Sequence, residues 1–141
     1  MIEIIPARPE MADVMRVQNA QRVSGMQMTR ESLAQCIAAG PAFACVDGSI
    51  LAIGGINPVW HQRAVAWGLL SDSIGASMTP VHRAVLRGLD GLFVTKRVEA
   101  YVALDHAEGF RWMRLLGFQQ EGMMRCFHEG QDFALFSRIR R

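Results

Sequence analysis

Fourteen arginines stand against a single lysine, Lys96, and there is one tyrosine, three cysteines and no apolar run that approaches bilayer length in the 141 residues. The last absence removes a membrane-spanning helix from the expectations. The N-terminal stretch MIEIIPARPE has no basic segment followed by an apolar one, so no secretory leader is expected. Cys36, Cys45 and Cys126 are odd in number and far apart, which argues against a disulfide framework. No CxxC or Cys/His spacing points to a metal. Reduced thiols in a cytoplasmic protein fit this usage best. The formal charge of +2 is small and its positive residues are scattered, so an electrostatic nucleic-acid surface is not expected. The terminal SRIRR reads as a short solvated basic end, and the arginine preference as codon usage.

What is present reads as one domain over residues 1–141, half hydrophobic and one fifth charged. IEIIPA predicts a short strand. RPEMADVMRVQNAQ predicts a helix opening near Pro9, with Met11, Val14, Met15 and Gln18 on one stripe. TRESLAQCIAAGP predicts a second helix, capped by Thr29 and stopped at Gly40-Pro41, with Leu33, Cys36 and Ile37 on one face. Met11, Met15, Met26 and Met28 are expected to fill the core. FACVDGSILAIGG carries an Asp47-Gly48 hairpin signal, and RAVAWGLLS adds a third meander strand in which Gly68 suggests a bulge or a close backbone approach. TPVHRAVLRGLDGLF predicts a helix with Thr79 as cap, Pro80 at its first position and Val81, Val85, Leu89 and Leu92 as its buried stripe. RVEAYVAL is then a strand, and strand–helix–strand implies a parallel pair with a right-handed crossover. AEGFRWMRLLGF is a helix ended by Gly117, and MMRCFHEGQDFALFSRI a closing hairpin. Trp60, Trp67 and Trp112 are expected at the core and its rim. The fold class is thus α/β (α+β), a mixed and mostly antiparallel sheet with one parallel pair and about four flanking helices.

The segment SDSIGASMTPVH, Ser71 to His82, joins a strand to a helix through a glycine. Two readings fit it. A glycine turn before a helix presents free N–H groups and a positive helix end to an anion. The same letters also make an ordinary connection capped by Thr79. Asp72 places a negative charge beside any anion bound there, and His82 and Arg83 in the first helical turn are expected to offset it in part.

This order of elements, with the Gly75 loop before the third helix and LLGF after the fourth, resembles the GNAT superfamily of acyl-CoA-dependent N-acyltransferases over nearly the whole chain. The family loop reads Arg/Gln-x-x-Gly-x-Gly/Ala; here Gly75 matches, while Asp72 and Ser77 replace its outer positions. The resemblance implies acetyl-CoA as cofactor, with Leu69, Leu70 and Ser71 beside the pantetheine and Ile74, Gly75, Ala76, Ser77 and Met78 at the pyrophosphate. Within HAEGFRWMRLLGF, His106 stands for the family's Asn and Gly109 for its Ala. Met113 stands where the family's proton-donating Tyr would be. His106 is therefore the expected acid, with a plain helix cap as its alternative. Glu99 is the expected base, with a solvated strand residue as its alternative. The acyl acceptor implied is a small-molecule or peptide amine, transfer is by direct attack, and a homodimer is an expectation on oligomeric state. LAIGG, the Trp67 strand, RWMRLLGF and GQDFALFS also resemble the small GNAT-like proteins of tailed phages and prophages. That likeness implies a second role, in which the fold serves packing and contacts with virion proteins. An acyl-CoA-binding module without turnover lies between the two.

Overall fold

A computed structural model describes residues 1–23, 28–92 and 95–140. Seven strands make one sheet: β1 (Glu3–Pro6), β2 (Ala42–Asp47), β3 (Ser49–Trp60), β4 (Arg63–Leu70), β5 (Arg97–Ala103), β6 (Gln119–His128) and β7 (Gln131–Ile139). Their spatial order is β1-β2-β3-β4-β5-β7-β6, and every neighbouring pair is antiparallel except β4 and β5. The helices are α1 (Asn19–Val23), α2 (Arg30–Ala39), α3 (Met78–Arg87) and α4 (Ala107–Leu115). This is the fold class the sequence predicts. No described helix is long and apolar enough to cross a membrane.

Alternation along the strands divides the core between two layers. On one face Leu33 of α2, with Met11 and Met15, buries against Ala44, Ile53 and Leu69. On the other, Val98, Ala100 and Val102 pack with Leu116, Phe118 and Phe136, and Val81 of α3 packs with Leu51 and Leu70. Phe133, Phe136, Leu33, Ile53 and Val81 are the largest fully buried side chains, each stabilising the fold by about 1.5–3 kcal/mol. Methionine thus serves the core as expected at Met11 and Met15, with Met28 packed against them. Met26 and the side chain of Leu92 lie outside the described residues.

Local signals set several boundaries. Thr29 caps α2 by accepting the Ser32 N–H at 3.1 Å. Gly48, at φ +74°, turns β2 into β3. Gly117, at φ +89°, ends α4 and lets the Phe118 N–H donate to the Met113 carbonyl at 2.9 Å.

Three expectations are corrected. The helix expected from Pro9 to Gln21 is broken: a 3-10 turn runs from Pro9 to Asp13, α1 begins only at Asn19, and Val14 is exposed. Between them the chain extends, because Val17 bridges to Ser71 and the Gln18 N–H donates to the Leu70 carbonyl at 2.9 Å. Helix α3 starts at Met78 after a 3-10 turn at Gly75–Ser77, so Thr79 is not its cap. Pro80 is tolerated at the third helical position because an N–H there still has no intrahelical acceptor. Gly68 makes neither bulge nor close approach: the β3–β4 register runs through it unshifted, and a Cβ there would lie 3.8 Å from the nearest atom, the Ile53 carbonyl oxygen.

Candidate functional site

The parallel pair is short. β4 and β5 are in register only at Arg63↔Arg97, Ala64↔Val98 and Val65↔Glu99, after which the strands part. A notch therefore opens between Ala66–Leu70 on one side and Ala100–Ala103 on the other, with α3 and α4 over one face. On an antiparallel strand alternate residues turn their backbone groups to opposite edges. The Ser71 N–H donates to Leu51 of β3 at 2.9 Å, so Ser71 and Leu69 face β3, while Leu70 and Gly68 face the notch. Of the three strand residues expected beside a pantetheine, only Leu70 presents its backbone to the opening.

The notch leads to the glycine loop. Gly75 adopts φ +46°, the left-handed region that favours glycine, and a Cβ there would meet nothing within 4 Å. Gly75 and Ala76 are exposed, Ser77 and Met78 half-buried, and the Ile74 side chain is buried under the loop. The Ser77 N–H donates to the Ile74 carbonyl at 2.9 Å and the Met78 N–H to the Gly75 carbonyl, which leaves the Gly75 and Ala76 N–H groups as the open cradle at the end of β4. Asp72 sits at its rim, where its carboxylate pairs with Arg16 Nε at 3.0 Å and its own N–H donates to the Arg16 carbonyl at 2.8 Å. The offset to its charge thus comes from Arg16. His82 turns towards α4, where its Nδ1 accepts from Trp112 Nε1 at 3.0 Å.

At the apex of the notch lies Glu99, 4% exposed, which is not a solvated strand residue. Arg63 donates to it through Nε at 2.6 Å and Nη2 at 3.1 Å, Arg97 Nε donates at 2.7 Å, and the Tyr101 hydroxyl lies 3.3 Å from Oε1. Arg97 in turn grips both oxygens of Glu121 at 2.8 Å, and Glu121 also accepts from the Ser137 hydroxyl. The Arg63 guanidinium, reinforced by Arg97, outweighs burial and holds the Glu99 carboxyl down at about 2. Burial and the Glu99 charge push the Tyr101 phenol up. An anion so strongly held is a weak proton acceptor near neutrality.

His106 occupies the position before α4, but its side chain makes no capping bond. Its ring lies against Gly109, where a Cβ would come within 2.6 Å of Nδ1 and 2.8 Å of Val102 Cγ1. Glu99 and His106 therefore belong to different levels of the notch, Glu99 at the pairing apex and His106 beyond the end of β5 at Ala103. Trp67 and Trp112 pack against the core and Trp60 is exposed.

Sequence reasoning missed Arg16, Gln18 and Gln21. Gln21 Nε2 donates to the Gly68 carbonyl at 2.9 Å and its Oε1 accepts the Leu70 N–H at 2.8 Å. The one trace of this in the sequence is the polar Gln18 on an otherwise apolar stripe.

No family model matches the chain, and no curated protein matches it in sequence. Its fold is that of the GNAT N-acetyltransferases. The ribosomal-protein-S18-alanine N-acetyltransferase from Escherichia coli superposes with a TM-score of 0.76 at 13% identity, over 99% of this chain and 94% of that one. Spermidine N-acetyltransferase from Vibrio cholerae, solved with CoA and spermine, gives 0.71 at 13% identity, over 98% and 95%. The acetyltransferase of the GNAT family from Bacillus anthracis gives 0.69 at 10% identity, over 98% and 94%.

Proposed function

We propose that this chain binds acetyl-CoA or another short acyl-CoA and transfers the acyl group to a primary amine. The observation that carries the reading is the β4–β5 notch opening directly onto the Gly75 cradle. With the Gln18 and Gln21 contacts released, the first would take an extended thioester arm and the second a pyrophosphate. Solved neighbours whose names specify acetylation of spermidine or of a ribosomal protein's alanine support an amine acceptor.

In this reading Gly75 and Ala76 offer backbone N–H groups to the pyrophosphate, while Ser77 and Met78 brace the turn by donating theirs to the Ile74 and Gly75 carbonyls, with Ile74 anchoring the loop from below. Leu70 faces the arm, and Leu69 and Ser71 hold its strand in the sheet. The cofactor supplies the activated acyl carbon and a thiolate leaving group. The protein's work is alignment and proton management. His106 is assigned as acid, beside the far end of β5. Glu99 is assigned to positioning: its charge fixes Arg63 and Tyr101 at the apex, and the amine's proton leaves through water.

A second reading has its own support. Asp72 at the cradle and Met113 in place of a hydroxyl donor both suit a fold kept for contacts with other proteins, including those of a phage particle, without turnover. Calorimetric titration with acetyl-CoA separates the two. Micromolar binding, abolished by Gly75→Asp with the melting temperature kept, supports the transferase. No heat up to millimolar acetyl-CoA refutes it.

A further inference from the structure

Parting from β5 should leave the notch edge of β4 bare, with the Gly68 carbonyl and the Leu70 N–H and carbonyl unmatched by any strand. Buried backbone groups rarely stay unmatched. Here the chain matches them itself. Gln21 gives an N–H to Gly68 and takes one from Leu70, the pattern a neighbouring strand makes across residues i and i+2. The Gln18 N–H covers the Leu70 carbonyl, and the Val17↔Ser71 bridge with the Arg16–Asp72 contacts extends this cover to the mouth of the cradle.

We infer that Arg16–Gln21 is a built-in occupant of the cofactor cleft, with the Gln21 carboxamide standing where a secondary amide of an acyl-CoA's pantetheine arm would bond β4. The inference rests on the acyl-CoA reading above. A secondary amide carries one N–H and one carbonyl, the same pair that Gln21 presents. Both cannot bond Gly68 and Leu70 at once, so ligand and side chain compete for one edge. The exchange conserves hydrogen bonds, since the incoming amide satisfies what Gln21 releases, and its cost is the displacement of α1 and the opening of the Arg16–Asp72 pair. The break in the helical path at Arg16–Gln18 has its explanation here. A continuous helix through them would withdraw the Gln18 N–H from Leu70 and break the Val17 bridge.

The test is a calorimetric titration of the full chain with coenzyme A, comparing wild type with Gln21→Ala and with Gln21→Met, which keeps the side-chain length if the smaller residue impairs folding. Either folded variant should bind roughly tenfold more tightly, the worth of one to two neutral hydrogen bonds removed from a competitor. In the free variants the Leu70 amide should also exchange with solvent about tenfold faster, and coenzyme A should restore its protection. Equal or weaker binding than wild type, or an unchanged Leu70 exchange rate, overturns the inference and leaves the acyl-CoA reading standing. If neither wild type nor either variant binds at millimolar concentration, the acyl-CoA reading falls and this inference with it.

Discussion

Replacing Glu99 by Gln keeps the shape of the side chain and removes its charge, so it isolates what the apex carboxylate contributes. With the carboxyl lowered from 4.5 to about 2, its ionised form stabilises the native state by about 3 kcal/mol at neutral pH. Arg63 is partly open to solvent, which trims this towards about 2 kcal/mol. Breaking a buried pair from one side adds to the loss, because Arg63 then keeps its charge without a counter-ion. The native state holds the lower pKa, so the contribution is complete above pH 4.5 and disappears as pH falls through 2. The gap between wild type and Glu99→Gln should therefore be about 3 kcal/mol at pH 7 and about half that at pH 3. Urea unfolding at the two pH values, followed by tryptophan fluorescence, reads it directly, and the neutral melting temperature should drop by about 10 °C. A gap below about 1 kcal/mol that does not change with pH would refute the positioning role. If transfer is then detected and Glu99→Gln abolishes it without touching stability, the carboxylate is a base after all.

Asp72→Asn removes the negative charge at the cradle rim, and coenzyme A affinity should rise about fivefold, the effect of ~1 kcal/mol of like-charge repulsion. The gain should shrink in high salt, and stability should move by less than about 0.5 kcal/mol because the Arg16 pair is exposed; a salt-independent affinity equal to wild type would place the anion elsewhere. Gly109→Ala puts a methyl group against the His106 ring and Val102. The fold should lose about 1–2 kcal/mol despite the better helix propensity, and kcat should fall with KM little changed; wild-type melting and turnover would remove His106 from the mechanism.

Where structure depends on neighbours in sequence, it was legible. The Thr29 cap, the Gly48 turn and the Gly117 stop each lie within a few residues of the element they bound, and each stands as read. The crossover from β4 to β5 followed from the order of strand, helix and strand. What escaped was set by partners far along the chain. Val14 carries a helical spacing with Met11 and Met15, but the needs of Leu70 and Ser71, over fifty residues away, pull the chain straight at Val17. Glu99 looked like a free carboxylate because Arg63 is thirty-six residues off and only pairing of β4 with β5 brings it near. Gln21 was invisible for the same reason: a glutamine in a polar stretch announces nothing until the edge it serves exists.

The three-residue junction of β4 and β5 also shapes how the chain assembles. On one side of it β2, β3 and β4 are successive hairpins, and on the other β6 and β7 form one more, so most sheet contacts close short loops. The seam between the halves closes a far longer loop, residues 71–96, for the return of only three residue pairs. Loop closure of that length is the slow entropic step in folding. The two halves should thus gain structure first as separate cooperative units, and the clasp of Arg63 on Glu99 should mark the moment they become one sheet. In the native protein the same seam is where sub-global opening begins, with amides of Ala64 and Glu99 exchanging ahead of those buried in either half.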